Sequence, residues 1–176
     1  MGSSWYQRHQ ILLNAVLLGA GYLLAWWVAV LTETRSLFVF LTFLGPGALF
    51  PLCTTYIVPD QQPLQDDRIS LHLFLSIGIY WGCFALMTAP SIIPYAESLA
   101  GAAGSLLYML MTRKVLARPI PIFLTGLTAA ASGGVFFWLI EIASLDFVMP
   151  GLMLCLWTLL NAALLAYTHS HMAARA

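Results

Sequence analysis

The chain has 176 residues, of which 61% are hydrophobic and only 8% are charged, and its mean hydropathy is +0.87. Soluble domains carry roughly a quarter charged residues, so this composition excludes an ordinary water-soluble domain and predicts an integral membrane protein in contact with the lipid bilayer. The formal net charge is zero, which excludes the basic surface that nucleic-acid binding requires.

Six apolar segments are long enough to cross a bilayer as helices, each of which needs about 20 residues. The first two, 11–31 and 37–58, are separated only by the short polar connection from Thr32 to Arg35 and therefore predict a tight helical hairpin. A polar stretch follows at 59–68, whose prolines and carboxylates predict a loop.

The remaining segments complete the bundle. The third and fourth, 69–88 and 95–111, flank a connection that is punctuated by prolines. The fifth and sixth, 120–142 and 147–167, follow the densest basic cluster of the chain. The sequence therefore predicts one all-α transmembrane domain over residues 1–176, a compact bundle of six helices.

Basic residues sort to one side of this arrangement. With the amino terminus in the cytoplasm, only Arg35 among the 7 basic residues lies outside. The cytoplasmic ones are Arg8, Arg68, Arg113, Lys114, Arg118 and Arg175. Because cytoplasmic loops of membrane proteins are enriched in Lys and Arg, we expect a multi-pass protein of the cell (cytoplasmic) membrane with both termini in the cytoplasm.

The two halves of the chain share a pattern of small residues. Gly45-Pro46-Gly47 in the second segment is matched by Gly133-Gly134 in the fifth, and large apolar residues follow each run. A six-span chain divided into threes has halves of opposite orientation, so the pattern is compatible with a 3+3 inverted repeat, although glycine and alanine are common in all membrane helices.

Small residues also recur at four-residue spacing, which lets helix backbones approach closely. They are Ala15 and Gly19 in the first segment, Gly78 and Gly82 in the third, and Gly126, Ala130 and Gly134 in the fifth. We expect these stripes to pack inside the bundle and not to form an oligomerisation face.

The run Gly45-Pro46-Gly47 is the first candidate ligand site. The proline removes a helical hydrogen bond and the glycines loosen the same turn, so the second helix is predicted to be kinked or broken. Interrupted helices expose backbone dipoles, which transporters use to hold a substrate near the middle of the membrane.

Acidic and aromatic side chains supply the other candidate ligand residues. Glu141 lies one helical turn from Trp138 near the outer membrane boundary, where an acid beside an aromatic ring can receive a cation. Tyr80 and Trp81 lie deeper in their segment and are candidates to line a pocket for a flat or apolar ligand.

No metal or cofactor site is predicted. His72 lies near Asp66 and Asp67, where we expect a solvated histidine at the membrane interface and not a metal ligand. The 3 cysteines lie in apolar runs without CxxC spacing and are read as free apolar thiols.

The run from Ala130 to Gly134 resembles the Gly-x-Ser-Gly run around the nucleophile of rhomboid intramembrane proteases, where a histidine on a later helix acts as the base. Here Ala130 replaces the first glycine, and the sixth segment contains no histidine. Because an activated serine needs a neighbouring base, no catalytic residue is predicted and an intramembrane serine hydrolase at Ser132 is the least favoured function.

The size and the layout with both ends inside resemble the substrate-binding subunits of energy-coupling-factor vitamin importers. Those subunits dock their transport partner through small residues of the first helix, which Ala15 and Gly19 match here. The resemblance implies small-molecule transport or solute binding, as a homo-oligomer or as a subunit of a larger importer. The alternative is a structural or regulatory membrane subunit that acts through helix–helix contacts.

Overall fold

The computed structural model describes residues 2–33, 45–56, 66–87, 93–142 and 149–173. Within these ranges every regular element is a helix and there is no β-strand, so the all-α class predicted from the sequence is confirmed. The described helices are α1 (Gly2–Leu31), α2 (residues 45–55), α3 (Asp66–Met87), α4 (Ala96–Val115), α5 (Ile122–Phe137) and α6 (Met149–Ala173).

Helix α2 consists of two π-helical segments, Gly45–Leu49 and Pro51–Thr55. A π turn is wider than an α turn and is rare outside short bulges. The proline in each segment lacks the backbone N–H that an α-helical hydrogen bond needs, and the glycines allow the backbone to widen. The irregularity predicted at Gly45-Pro46-Gly47 is therefore present as a widened helix.

The connection between α4 and α5 follows from local backbone chemistry. The Leu116 N–H donates to the Thr112 carbonyl and closes the last turn, and Ala117 then takes a left-handed conformation with φ 53°. Pro121 precedes α5 with φ −65°, and its carbonyl accepts the first bond of the helix from the Thr125 N–H. Proline suits this N-cap position because its fixed φ is compatible with the extended conformation found there, and the N–H that it lacks would have no partner within the helix.

The six helices form a closed ring in chain order. Each helix contacts the next one along the chain, and α1 packs against α6 to close the ring. A Cβ built on Gly19 would lie 2.8 Å from Cys155 Sγ, whereas one on Gly151 would lie 2.8 Å from Trp26 Cβ. These contacts make α1 and α6 antiparallel, so the start of α1 and the end of α6 lie at the same end of the bundle.

Four helical stretches are long and apolar enough to cross a membrane: His9–Leu31, Asp66–Met87, Ile122–Glu141 and Gly151–His169. Large apolar side chains point away from the ring on these helices, for example Phe74, which is 74% exposed, and Phe123, which is 80% exposed. Such surfaces are stable against lipid and unfavourable in water. The structure therefore supports an integral membrane protein.

The other two predicted spans are not among the four helical stretches that are long and apolar enough to cross a membrane. Segment 37–58 lies partly outside the described residues. Segment 95–111 falls within α4, which is not among the four strongly apolar helices. Helix α4 is rich in Gly and Ala and buries Ala100, Gly104 and Tyr108 inside the ring. Its outward face still carries large apolar side chains that are 38–49% exposed, namely Leu99, Leu106, Leu107 and Leu110. Six spans remain a prediction.

Charged side chains divide between the two ends of the ring. We call the end with the start of α1 the basic end, because it also holds the start of α3 and the end of α4 with Arg68, Arg113 and Lys114. Asp66 and Asp67 lie there too, in the first turn of α3. The opposite end, the acidic end, holds Glu33 after α1, Glu97 in the first turn of α4 and Glu141 after α5.

The small-residue stripes face in different directions. Ala15 is fully buried and Gly19 lies against α6, as expected for packing inside the bundle. On α3 and α5 the expectation is wrong, since four glycines are exposed and a Cβ built on each would meet no atom within 4 Å. These are Gly78, Gly82, Gly126 and Gly134. Spacing shows which residues share a helix face, but not which face meets the ring.

Candidate functional site

A cavity of about 210 Å³ lies inside the ring, bounded by α3, α4, α5 and α6, with Pro46 of α2 in its wall. Five aromatic side chains contribute to its lining: Tyr80, Phe84, Tyr108, Phe136 and Trp157. Gly104 also borders it, and a Cβ there would lie 3.4 Å from both Cys83 Sγ and Trp157 Nε1. Glycines on α4 thus leave the space that the aromatic rings surround.

The cavity occupies the half of the bundle nearer the acidic end. Most of its lining comes from the second half of α3 and from the first halves of α4 and α6, with Ser76 and Tyr108 near the middle of the bundle. The lining residues of α4 and α5 are buried, whereas several of α3 and α6 are partly exposed. No Asp, Glu, Lys, Arg or His is among the described lining residues.

Three aromatic rings close the cavity toward the basic end, and we call Phe50, Tyr108 and Trp157 the aromatic plug. The centroid of Phe50 lies 5.2 Å from that of Tyr108 and 5.2 Å from that of Trp157, in edge-to-face arrangements that aromatic pairs prefer. Phe50 has no exposed surface. The Tyr108 hydroxyl lies 2.6 Å from Thr55 Oγ1, which fixes the ring against α2.

Behind the plug, a polar chain joins α2, α3 and α4. Tyr56 Oη lies 2.6 Å from His72 Nδ1, and His72 Nε2 lies 2.9 Å from Thr112 Oγ1. Thr112 Oγ1 in turn donates to the Tyr108 carbonyl at 2.8 Å. His72 has no exposed surface, so the expectation of a solvated interfacial histidine is wrong. Its ring bonds inward to α2 and α4, which the position in the sequence does not reveal.

The direction of this chain follows from its last bond. Because the Thr112 hydroxyl uses its hydrogen on the Tyr108 carbonyl, Thr112 Oγ1 accepts from His72 and the histidine proton lies on Nε2. His72 Nδ1 then accepts the hydrogen of the Tyr56 hydroxyl. A neutral histidine satisfies every one of these bonds, as a buried polar group requires.

A second polar cluster links α4, α5 and α6. Ser105 Oγ and Ser132 Oγ are 2.7 Å apart, and Asn161 Nδ2 donates to Ser105 Oγ at 2.9 Å and to the Trp157 carbonyl at 2.8 Å. Ser132 is fully buried, and its hydrogen-bond partner is another serine. These bonds tie Ser132 to α4 and, through Ser105, to α6, as polar side chains do between packed membrane helices.

The structure brings some of the predicted ligand residues near one another. Tyr80 lines the cavity, and a Cβ on Gly47 would lie 3.2 Å from Tyr80 Cβ and 2.9 Å from Ile77 Cα. Gly47 therefore lets α2 approach α3 closely beside the cavity. Gly45 faces the other way, because a Cβ there would lie 2.7 Å from the Tyr22 ring on α1.

The other predicted ligand residues lie outside the cavity. Trp81 is 40% exposed and packs edge to face on Phe84 with centroids 6.2 Å apart. Trp138 is 53% exposed and Glu141 is exposed, both within the π-helical turn Trp138–Ile142 that continues α5. A π turn is wider than an α turn and places residues three apart further from a common face. A cation site at these two residues remains a prediction.

Sequence reasoning missed the residues that shape the site most. Ser76, Tyr108 and Phe50 carry no motif, and each would be read as ordinary core. The signal that was available is the spacing of His72, Ser76 and Tyr80, which recur every four residues and so share one face of α3. A polar stripe on an apolar helix predicts the face that turns toward protein.

No group of three or more His, Cys, Asp or Glu side chains in the described part of the chain lies close enough together to hold a metal ion. All three cysteines are free thiols. Comparison of the chain with protein-family models, with curated proteins and with solved structures found no match.

Proposed function

We propose that the protein is a six-span integral membrane protein that binds a small molecule in the cavity of its helix ring, as part of transport or solute binding. The basic end faces the cytoplasm in this proposal, so both termini are cytoplasmic and the acidic end faces outward. The described positions of Arg113, Lys114 and Glu97 support that orientation through the enrichment of basic residues on the cytoplasmic side.

The cavity is the observation that carries the proposal. Its volume of about 210 Å³ exceeds an engineered apolar cavity of about 150 Å³ that binds benzene. Natural protein interiors are close-packed and rarely leave a space of this size. Two glycines of α4 border this space: Gly104, where a Cβ would lie 3.4 Å from Cys83 Sγ and from Trp157 Nε1, and Gly101, which lets the Phe136 ring of α5 approach the α4 backbone.

Access to the cavity differs between the two ends of the ring. The cavity lies in the acidic half, whereas the aromatic plug and then the polar chain lie between it and the basic end. A molecule that enters from the acidic half or from the lipid therefore stops at Tyr108 and Trp157. Passage to the other side requires the plug to open, which is the movement that a transporter of this design needs.

A cavity-filling substitution tests the proposal directly. In nanodiscs, Gly104→Leu places its side chain in the cavity, whereas Gly134→Leu adds the same side chain to the outer face of α5, where a Cβ meets no atom within 4 Å. Saturable binding of small aromatic probes such as indole should disappear in the first variant and persist in the second. Equal binding to both variants, or none above empty nanodiscs for the native protein, rules out the cavity as a ligand site.

A structural or regulatory membrane subunit that acts through helix–helix contacts is the second candidate function, and one observation favours it. Gly126, Ala130 and Gly134 form an exposed stripe on α5, where a neighbouring helix could approach closely. In this case the protein acts as a homo-oligomer or beside a partner subunit. Cross-linking through Gly126→Cys in native membranes tests this: a specific cross-linked product supports the contact function, and monomer alone in all conditions argues against it.

A further inference from the structure

The indole N–H of Trp157 is an accessible hydrogen-bond donor in the cavity wall. Four side chains of the described lining carry a nitrogen or oxygen atom, and two of these cannot bond to a molecule in the cavity. The Tyr108 hydroxyl is already bonded to Thr55, and the Ser76 Oγ atom has almost no accessible surface. The other two are the Tyr80 hydroxyl and Trp157 Nε1, neither of which is fully buried or bonded to a described residue.

The N–H edge of the Trp157 ring faces α4 at a glycine. A Cβ built on Gly104 would lie 3.4 Å from Trp157 Nε1 and 3.9 Å from its Cε2, so the nitrogen is the nearest atom of the ring to this position. Cys83 Sγ would also lie 3.4 Å from that Cβ. Gly104 is buried inside the ring of helices and lines the cavity together with both side chains. The missing side chain at Gly104 therefore leaves the N–H uncovered on the cavity side.

The aromatic plug holds the Trp157 ring in this orientation. The ring centroid lies 5.2 Å from that of Phe50 and 6.1 Å from that of Tyr108, both in edge-to-face arrangements. The N–H of a buried tryptophan usually has a hydrogen-bond partner, and no described residue bonds to this one. A donor that is fixed, accessible and without a partner in the protein is suited to an acceptor that enters the cavity.

The rest of the wall restricts the class of the entering molecule. No charged side chain lines the cavity among the described residues, so an ion inside it would lose its hydration without compensation. Rings from four helices and the sulfur atoms between them form favourable contacts with flat ligands. The volume of about 210 Å³ exceeds the cavity of about 150 Å³ that binds benzene and is smaller than the sites of about 300–1,000 Å³ that bind drug-sized molecules. The fit is therefore to one substituted ring or to two fused rings.

We infer that the cavity binds a small uncharged ring compound with a carbonyl oxygen, which accepts a hydrogen bond from Trp157 Nε1 beside Gly104. The inference rests on the proposed function and names its ligand class. The indole N–H donates and cannot accept, so its partner must be an acceptor. A carbonyl suits this wall because it brings no additional donor that would need a partner of its own.

Indan-1-one and indene make a matched pair of probes, because both are fused five- and six-membered rings and only the ketone carries an oxygen. Equilibrium dialysis against protein in nanodiscs, with empty nanodiscs subtracted, gives the two affinities and their ratio. Comparing this ratio between variants cancels the different hydration of the two probes. In Trp157→Phe the ratio should shift about three- to ten-fold in favour of indene, the range that one net hydrogen bond provides.

Gly104→Ala is a second variant that keeps the aromatic plug. Its methyl group would lie 3.4 Å from Trp157 Nε1 and cover the N–H, so the ratio should shift in the same direction. Trp27→Phe is the control, because Trp27 is 45% exposed on α1 and does not line the cavity, and its ratio should equal the native one.

A native ratio that persists in Trp157→Phe, or in Gly104→Ala where the first variant does not fold, overturns the inference while the cavity remains a binding site. Failure of both probes to bind the native protein overturns the proposed function as well. The two failures are therefore distinguishable.

Discussion

Replacing His72 by phenylalanine tests whether the polar chain holds three helices together. The substitution keeps a ring that can pack on Tyr56 and Tyr108, whose centroids lie 5.5 Å and 5.6 Å from that of His72. It removes two bonds between helices, one to Tyr56 and one to Thr112. Bonds between membrane helices contribute about 0.6 kcal/mol on average and about 1.7 at most, so we expect a loss of about 1–3 kcal/mol.

Two further variants separate the contribution of the hydrogen bonds of His72 from that of its ring contacts. His72→Ala also removes both ring contacts, each worth about 0.5–1.5 kcal/mol, so its loss should reach about 2–6 kcal/mol. Tyr56→Phe removes the 2.6 Å bond to His72 and the longer 3.3 Å bond to the Ile69 carbonyl, but it keeps the bond between His72 and Thr112. Its loss should therefore be smaller than that of His72→Phe. Combining the two phenylalanine substitutions should cost less than the sum of both, because they remove the same bond.

Reversible unfolding in mixed micelles of detergent and SDS provides the measurement. If the free energy of unfolding of His72→Phe equals that of the native protein within about 0.3 kcal/mol, the polar chain does not stabilise the ring. Nitrogen NMR of labelled histidine checks the chain independently. The His72 proton should lie on Nε2, and a proton on Nδ1 would contradict the bond directions given above.

Three smaller tests address other parts of the ring. Gly19→Val should destabilise the protein because its Cβ would lie 2.8 Å from Cys155 Sγ. Gly21→Val, whose Cβ would meet no atom within 4 Å, should leave the free energy of unfolding unchanged or slightly higher, because valine has a higher helix propensity than glycine. Ala117→Gly should raise the free energy of unfolding by up to about 1 kcal/mol, since φ 53° is unfavourable for alanine; an unchanged SDS midpoint refutes this. Cysteines at Lys114 and Glu97, in a background without the three native thiols, should react with membrane-impermeant reagents from opposite sides; labelling from one side contradicts the proposed topology.

Most of the cavity lining could not be predicted from the sequence, because a cavity is a space between helices and depends on which face each helix turns toward its neighbours. Tyr80 was identified from its depth within an apolar segment, and it does line the cavity. Trp81, its neighbour, was chosen for the same reason but points away from the ring. Residues one apart on a helix differ in direction by about 100°, so depth alone cannot separate them without knowledge of the packed face.

Composition and apolar length by themselves determined that this protein is helical and suited to a bilayer, because a chain in lipid must satisfy its backbone hydrogen bonds within each segment. Proline and glycine spacing likewise determined that α2 departs from α-helical geometry. Only the tertiary structure decided that His72 is buried, that the glycines of α3 and α5 face outward, and that Ser76 borders a cavity. These properties depend on how each helix is rotated within the ring, and an all-round apolar helix carries little sequence information about that rotation.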